Sequence, residues 1–485
     1  MSSSSPDVEA YRLMRAGCFE EALAFAERAV AGERTCVPAH GLLATLLVQL
    51  GRAREAENVI SEALQCRTGS PDAYDALAHV SMLLGNHERS NVLYRRVVEL
   101  APGDGRFWYN LASSERSFGR LKEAEIACNR VIALDPAHFA SYLLRSELRV
   151  QSAESNHVAE LRSALCRPGL DEQARVPLGY ALAKELDDLM RYDEAFPWFH
   201  EAARTRRRHL AYDVAVDERK LERIRQVFTS ERLLPTAHPG ASSRYIFIVG
   251  LPRSGTTLLE HILTGLEGVR SNGETDHFSR AVLSAAPVGS EDVFARAAAA
   301  DADVVAASYA RFAEASSASA KIIEKMPLNY LYLGAIRRAL PEAKLVLIRR
   351  APIDACFAMY RTLFGIAYPF SYDFEDLARY HAAYDRLLGH WRRLLGEALC
   401  EIEYEELVKN PLKASVRVAE HCGLTWNPRA LEVEKGATIS MTASAAQVRR
   451  PIYGSSSGRW RHYRAHLGPL FAALHRHGVQ LPEDA

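Results

Sequence analysis

Residues 250–257 read GLPRSGTT. Against the phosphate-loop pattern G-x-x-x-x-G-K-[ST], Gly250, Gly255 and Thr257 fit. Thr256 stands where the lysine belongs, and an arginine, Arg253, has entered the loop. A glycine loop opening a helix offers an anion backbone N–H groups and the positive end of the helix dipole. Ser254 lies inside this loop, Thr256 and Thr257 add hydroxyl donors, and Arg253 adds a fixed charge. In nucleoside triphosphatases the lysine reaches the β- and γ-phosphates, and the hydroxyl after it holds magnesium. Without that lysine, the loop suits a shorter 5′ group that needs no metal. A second cationic pair, Arg349 and Arg350, follows the run KLVLI (344–348). Guanidinium groups grip phosphate oxygens in pairs, so this pair suits a second phosphate.

Both clusters need elements that hold them at one edge. RYIFIVG (244–250) is β-branched and aromatic, as a buried parallel strand is. After the loop, Leu258, Leu259, Ile262, Leu263 and Leu266 share one helical face. Residues 324–364 read as a loop, a helix, a strand (Lys344–Ile348) and another helix. Both basic clusters therefore fall at carboxyl ends of parallel strands, where α/β sheets bind ligands.

The first 200 residues have a different rhythm. Glycines fall at 17, 51, 85 and 119, a period of 34. Ala22, Ala56, Ser90 and Ala124 follow them at a fixed offset, and prolines stand at 38, 71, 102 and 136. Small residues where two helices touch, and a proline where the second helix must stop, describe a helix–turn–helix repeat. The period and pattern resemble the tetratricopeptide repeat, with GRAREAENVISEAL and GRLKEAEIACNRVIALDP as its best copies. A later copy, MRYDEAFPWFHEAAR (190–204), follows an irregular unit. The expected functional surface of such an array is a concave face for a protein or peptide. RTRRRHLAYDVAVDERKLERIRQVF reads as a solvated connecting helix, with Arg206, Arg207 and Arg208 as a surface charge run. PTAHPGASS (235–243) is the expected boundary. The expected domains are a repeat domain at 1–205, a connecting helix and linker at 206–243, and an α/β domain at 244–485.

Composition narrows the class. The 485 residues are 48% hydrophobic and 25% charged, as in an ordinary soluble protein. Lys+Arg and Asp+Glu each total 60, so no basic excess points to nucleic acid or a membrane surface. The eight cysteines form no C-x-x-C pair, so neither zinc nor a redox dithiol is indicated, and free thiols in a reducing compartment are expected. The N-terminus MSSSSPDVEA lacks the pattern of a signal peptide, and no apolar run spans a bilayer. The expected location is cytoplasmic.

The C-terminal half resembles a sulfotransferase that uses 3′-phosphoadenosine 5′-phosphosulfate. It is most similar to bacterial proteins that fuse tetratricopeptide repeats to a sulfotransferase domain, and more distantly to tyrosylprotein sulfotransferases. The resemblance covers roughly residues 244–470. FIVGLPRSGTTLLEHIL resembles the family's 5′-phosphosulfate loop. LIRRAPID resembles its 3′-phosphate segment, with Arg350 in the phosphate-binding place and Asp354 four residues on. One departure stands out. The family's serine after that arginine is here Ala358, a loss worth about 1 kcal/mol of cofactor binding.

The resemblance also implies roles. In SNGETDHF (271–278), Glu274 matches the general base of tyrosylprotein sulfotransferases, with His277 and His261 as competing bases. Lys325 in EKMP matches the lysine that stabilises the leaving phosphate oxygen. Arg253, Ser254, Gly255, Thr256 and Thr257 hold the 5′ group, and Arg253 counts among the catalytic residues. Tyr404 resembles a tyrosine near the cofactor. SAAQVRRPIYGSSSGRWRHY (444–463) resembles a segment that folds over it, with Ser444 on the 3′-phosphate side and Arg459 on the adenosine. The implied reaction moves a sulfuryl group to a hydroxyl or amine acceptor, without a metal. The acceptor stays open; the repeats favour one on a protein or peptide. Two alternatives remain: a repeat scaffold whose transferase domain has decayed, and a P-loop kinase, which would need ATP and magnesium.

Overall fold

The four repeat glycines, Gly17, Gly51, Gly85 and Gly119, all adopt φ between +73° and +79°. Each follows the first helix of a pair, as Gly51 does between Val37–Gln49 and Ala53–Gln65. A side chain there would strain the left-handed turn, so the period of 34 marks a backbone requirement. Ala22, Ala56, Ser90 and Ala124 are buried at helix contacts. The prolines divide into two kinds. Pro102 and Pro136 follow helices His87–Leu100 and Leu121–Leu134. Pro38 and Pro71 instead stand in the first turn of helices Val37–Gln49 and Pro71–Leu83. A first-turn N–H has no intrahelical partner, so proline loses nothing there.

The computed structural model describes residues 5–33, 36–66, 68–233, 241–286, 292–313, 321–435, 451–452, 454 and 456–482. Its contacts divide the chain into two compact units, residues 1–141 with 310–318 and residues 142–309 with 319–485. The first is an all-helical repeat array with a core that includes Leu46, Ile60, Leu77 and Val97. The second carries the sheet. It begins at 142, and helices Glu172–Asp188, Tyr192–Arg208 and Val214–Val227 share it with the sheet.

Those helices correct one expectation. The basic stretch after 203 is not a solvated connector. Leu221, Ile224, Val227 and Phe228 are buried. Arg206 donates to the Gly365 carbonyl at 3.1 Å, and Arg207 Nε lies 2.6 Å from Asp376. The apolar residues of KLERIRQVF recur at helical spacing and form a buried stripe, which the surrounding charges obscured.

The sheet has five parallel strands: β1 (Tyr245–Val249), β2 (Val269–Ser271), β3 (Lys321–Glu324), β4 (Lys344–Arg349) and β5 (Leu399–Glu403). Their order is β2-β3-β1-β4-β5. All of β1 is buried, as its unbroken apolar run requires. The chain leaves β1 to one side for β2 and β3, then crosses to the other for β4 and β5. The order reverses at β1, and such a reversal opens a crevice at the carboxyl ends of the strands. Among the described residues, no helix is long and apolar enough to cross a membrane.

Candidate active site

The glycine loop leaves β1 at this reversal. Arg253 takes φ +65° and Gly255 φ +101° before the helix Thr256–Thr264 begins. A Cβ on Gly255 would lie 2.4 Å from Tyr404 Cδ2, and one on Gly250 would lie 2.3 Å from the Ile348 carbonyl. Both glycines are therefore fixed by close packing, Gly250 against β4 and Gly255 against the helix Tyr404–Lys409. Ser254 is turned inward, and its hydroxyl donates to the Leu251 carbonyl at 2.6 Å. That bond braces the loop. Thr256 and Thr257 open the helix, where the first N–H groups lack intrahelical partners.

Arg350, at the end of β4, connects three segments. Its Nη1 donates to the Arg253 carbonyl at 2.9 Å, and its Nη2 donates to the Ser456 carbonyl. Its guanidinium stands 4.8 Å from the Tyr404 ring and 3.6 Å from Asp354. Asp354 also accepts from Gly458 N–H at 2.9 Å. Ser456 and Gly458 are thus tied to Arg350 and Asp354 beside the loop. Ser444 lies outside the described residues.

Glu274 and Lys325 meet beside Glu260 of the loop helix. Lys325 is fully buried, and its Nζ lies 2.5 Å from Glu274 Oε1 and 3.5 Å from Glu260 Oε2. Glu260 projects from the loop helix and accepts from the Ser271 hydroxyl at 2.5 Å. Burial pushes the Glu260 carboxyl above its usual range, against the pull of Lys325. Of the competing bases, His261 is buried within the loop helix. Burial also depresses the His277 imidazole to about 4, which makes it a weak base.

A single cavity of about 780 Å³ joins these groups. Arg253, Gly255, Thr256, Thr257, Glu274, Arg350, Tyr404 and Arg459 all line it. Ser254 and Lys325 sit behind its wall. Residues 245–428 match the model of the sulfotransferase family, and residues 13–80 and 105–138 match tetratricopeptide-repeat models. Over residues 245–428 the chain is similar to the sulfotransferase family.

Three comparisons describe its relatives. An Aquifex aeolicus (strain VF5) chain described as "Uncharacterized protein" is 28% identical over 440 residues, which is 87% of this chain and 57% of that one. The chain therefore spans little more than half of that relative. A Caenorhabditis briggsae chain named "Putative protein-tyrosine sulfotransferase" is 24% identical over 236 residues, 44% of this chain and 80% of its own. Among solved structures, the sulfotransferase domain from the curacin biosynthetic pathway covers 49% of this chain and 98% of its own, at 17% identity and a TM-score of 0.36.

The cavity has walls that the sequence reading missed. Asp187 and Met190 belong to the stretch read as repeat, yet both line it. Met190 takes φ +58° where the earlier units have glycine. Asp187 is buried and pairs with Arg361 at 2.8 Å and with Arg459 at 2.5 Å, while the Tyr463 hydroxyl donates to it at 2.5 Å. Burial alone would raise its carboxyl; the two guanidinium groups outweigh that and hold it below the usual range. Arg459, expected on the adenosine, is thus anchored by a carboxylate. Tyr368, which feels the charge of Glu274, lines the cavity beside Phe364, whose ring lies 4.9 Å away, and Pro327 also lines it. The only sequence signal for Asp187 was an acid pair, Asp187–Asp188, at a helix end, and such pairs are usually solvated.

Proposed function

We propose that this protein transfers a sulfuryl group from 3′-phosphoadenosine 5′-phosphosulfate to a hydroxyl or amine. The observation that carries the proposal is the shared cavity, where an arginine-bearing glycine loop, Arg350 and Glu274 face the same space. The residues present fit a doubly anionic nucleotide. Arg253, Arg350, Arg361 and Arg459 line the cavity, together with Gly255, Thr256 and Thr257 of the loop. A volume of about 780 Å³ suits a nucleotide-sized ligand.

When bound, that cofactor supplies the activated sulfuryl group. Arg253, the two threonines and the helix N-terminus hold its 5′ side. Arg350 takes the 3′ side. Glu274 accepts the acceptor's proton, and Lys325, buried behind it, positions that carboxylate and lends positive charge to that end of the cavity. Pro327, Phe364 and Tyr368 give the acceptor an apolar and aromatic approach to Glu274. The repeats offer a surface for a protein or peptide, which makes an acceptor on such a partner the favoured class. The protein is placed in the cytoplasm on this reading, and no metal enters the chemistry.

The scaffold alternative draws on Ala358, but Arg253, Glu274, Lys325 and Arg350 are all retained. The kinase alternative needs a loop lysine, and Thr256 stands there. The test is transfer of radiolabelled sulfate from the cofactor to acceptors in a cell lysate. Labelling with wild type and none with Glu274→Gln supports the proposal; no labelling under any condition counts against it.

A further inference from the structure

Ala358 removes a hydroxyl from the cavity wall, but the same wall carries an unexpected cation. Arg361 caps the helix Pro352–Tyr360, one turn beyond Ala358, and both residues line the cavity. Its guanidinium carbon lies 5.5 Å from the Phe199 ring, 5.4 Å from Phe357 and 5.9 Å from Tyr463. Three rings therefore hold the group in place.

Arg361 Nη2 donates to Asp187 Oδ2 at 2.8 Å. Asp187, at 2% side-chain exposure, also pairs with Arg459. One carboxylate thus balances two guanidinium groups, which leaves this trio with a net positive charge. A guanidinium has five N–H donors. Arg361 Nε is buried with no hydrogen-bond partner among the described residues. The group is far from saturated by Asp187.

We propose that Arg361 reads the cofactor's 3′-phosphate in place of the missing serine, and that Asp187 positions it there. The proposal rests on the sulfotransferase reading. A phosphate monoester dianion gains more from a charged, forked donor than from a hydroxyl. Asp187 keeps the buried guanidinium compensated until the phosphate shares it. Asp187 lies outside the segment that matches the family model, so the helix Glu172–Asp188 becomes part of the nucleotide site.

The test is calorimetric titration of the full-length chain with adenosine 3′,5′-bisphosphate and with 5′-AMP. Arg361→Gln is expected to weaken the bisphosphate roughly 10- to 100-fold, as the loss of a charged hydrogen bond does, and AMP less than about threefold. Equal losses for both ligands, or an unchanged preference, overturn the proposal. A wild type that shows no preference for the bisphosphate overturns the sulfotransferase reading instead. Arg361→Lys keeps a charge beside Asp187 and covers the case in which the glutamine variant does not fold. It is expected to weaken the bisphosphate at least about fivefold with AMP held, because the forked donor is gone; an unchanged ratio counts against the proposal. Asp187→Asn is expected to shift the same ratio in the same direction. A lower melting temperature with the ratio intact would remove Asp187 from the positioning role.

Discussion

Glu274 and Lys325 are 51 residues apart in the chain, yet the Lys325 ammonium donates to the Glu274 carboxylate at 2.5 Å. The lysine is fully buried and the glutamate is about one-third exposed. A buried ammonium needs a paired charge. Glu260, at 3.5 Å, supplies a second one from the loop helix. The pair ties the end of β3 to the turn after β2, and it presents one carboxylate to the cavity while keeping the cation behind it.

Glu274→Gln keeps the shape and removes the basicity. Turnover is expected to fall roughly 10²- to 10⁴-fold, the usual worth of a general base. Affinity for adenosine 3′,5′-bisphosphate is expected to stay within about twofold, since the nucleotide is held by other residues. Steady-state kinetics on an identified acceptor, with a parallel titration, measures both. Near-full turnover in this variant, with loss in His277→Ala, would move the base to the histidine.

Arg350→Ala removes more than a phosphate ligand. The side chain also holds the Arg253 and Ser456 carbonyls. The bisphosphate is expected to weaken about 100-fold, and 5′-AMP about tenfold through the loosened loop. Calorimetry reads the two losses. A ratio of one between them would contradict a 3′-phosphate role.

How much of this was legible in the sequence differs by element. The strand–loop–helix of residues 245–264 was legible, because an apolar run, two close-packed glycines and an amphipathic helix are local signals. The repeat period was legible because a left-handed turn demands glycine. Asp187 was not. Its role depends on Arg361 and Arg459, which reach it from 174 and 272 residues away, and no local pattern encodes that meeting. The basic stretch after 203 misled for a related reason. Its arginines find buried partners such as Asp376 only in the folded unit.

Ala358→Ser is expected to change bisphosphate affinity less than about twofold, because Arg361 already serves that wall; a restored hydroxyl bond would otherwise be worth roughly fivefold or more. The same titration reads it. A large gain would mean that the serine's place stands open.

Glu324, at the end of β3, bears on stability. Burial pushes its carboxyl up to about 7 from 4.5, although Asn329 Nδ2 donates to it at 2.8 Å. Between those values the folded chain keeps a proton that the unfolded chain has lost. Its contribution is therefore full below pH 4.5 and is lost as pH rises through 7. Glu324→Gln does not titrate. Relative to wild type it is expected to gain about 3 kcal/mol between pH 4.5 and 8. Denaturant unfolding of both proteins at both pH values measures the difference; a difference constant with pH contradicts the assignment.

The central claim is that the cavity binds a 3′-phosphorylated nucleotide rather than a magnesium nucleoside triphosphate. Thermal unfolding of the full-length protein with adenosine 3′,5′-bisphosphate alone, compared with ATP plus magnesium, tests it most directly. At a concentration about 100 times its Kd, a ligand bound only by the folded chain stabilises it by about 2.7 kcal/mol, which a melting curve resolves. The expected result is a rise in Tm with the bisphosphate and little or none with ATP and magnesium. A rise with ATP and magnesium and none with the bisphosphate would contradict the account.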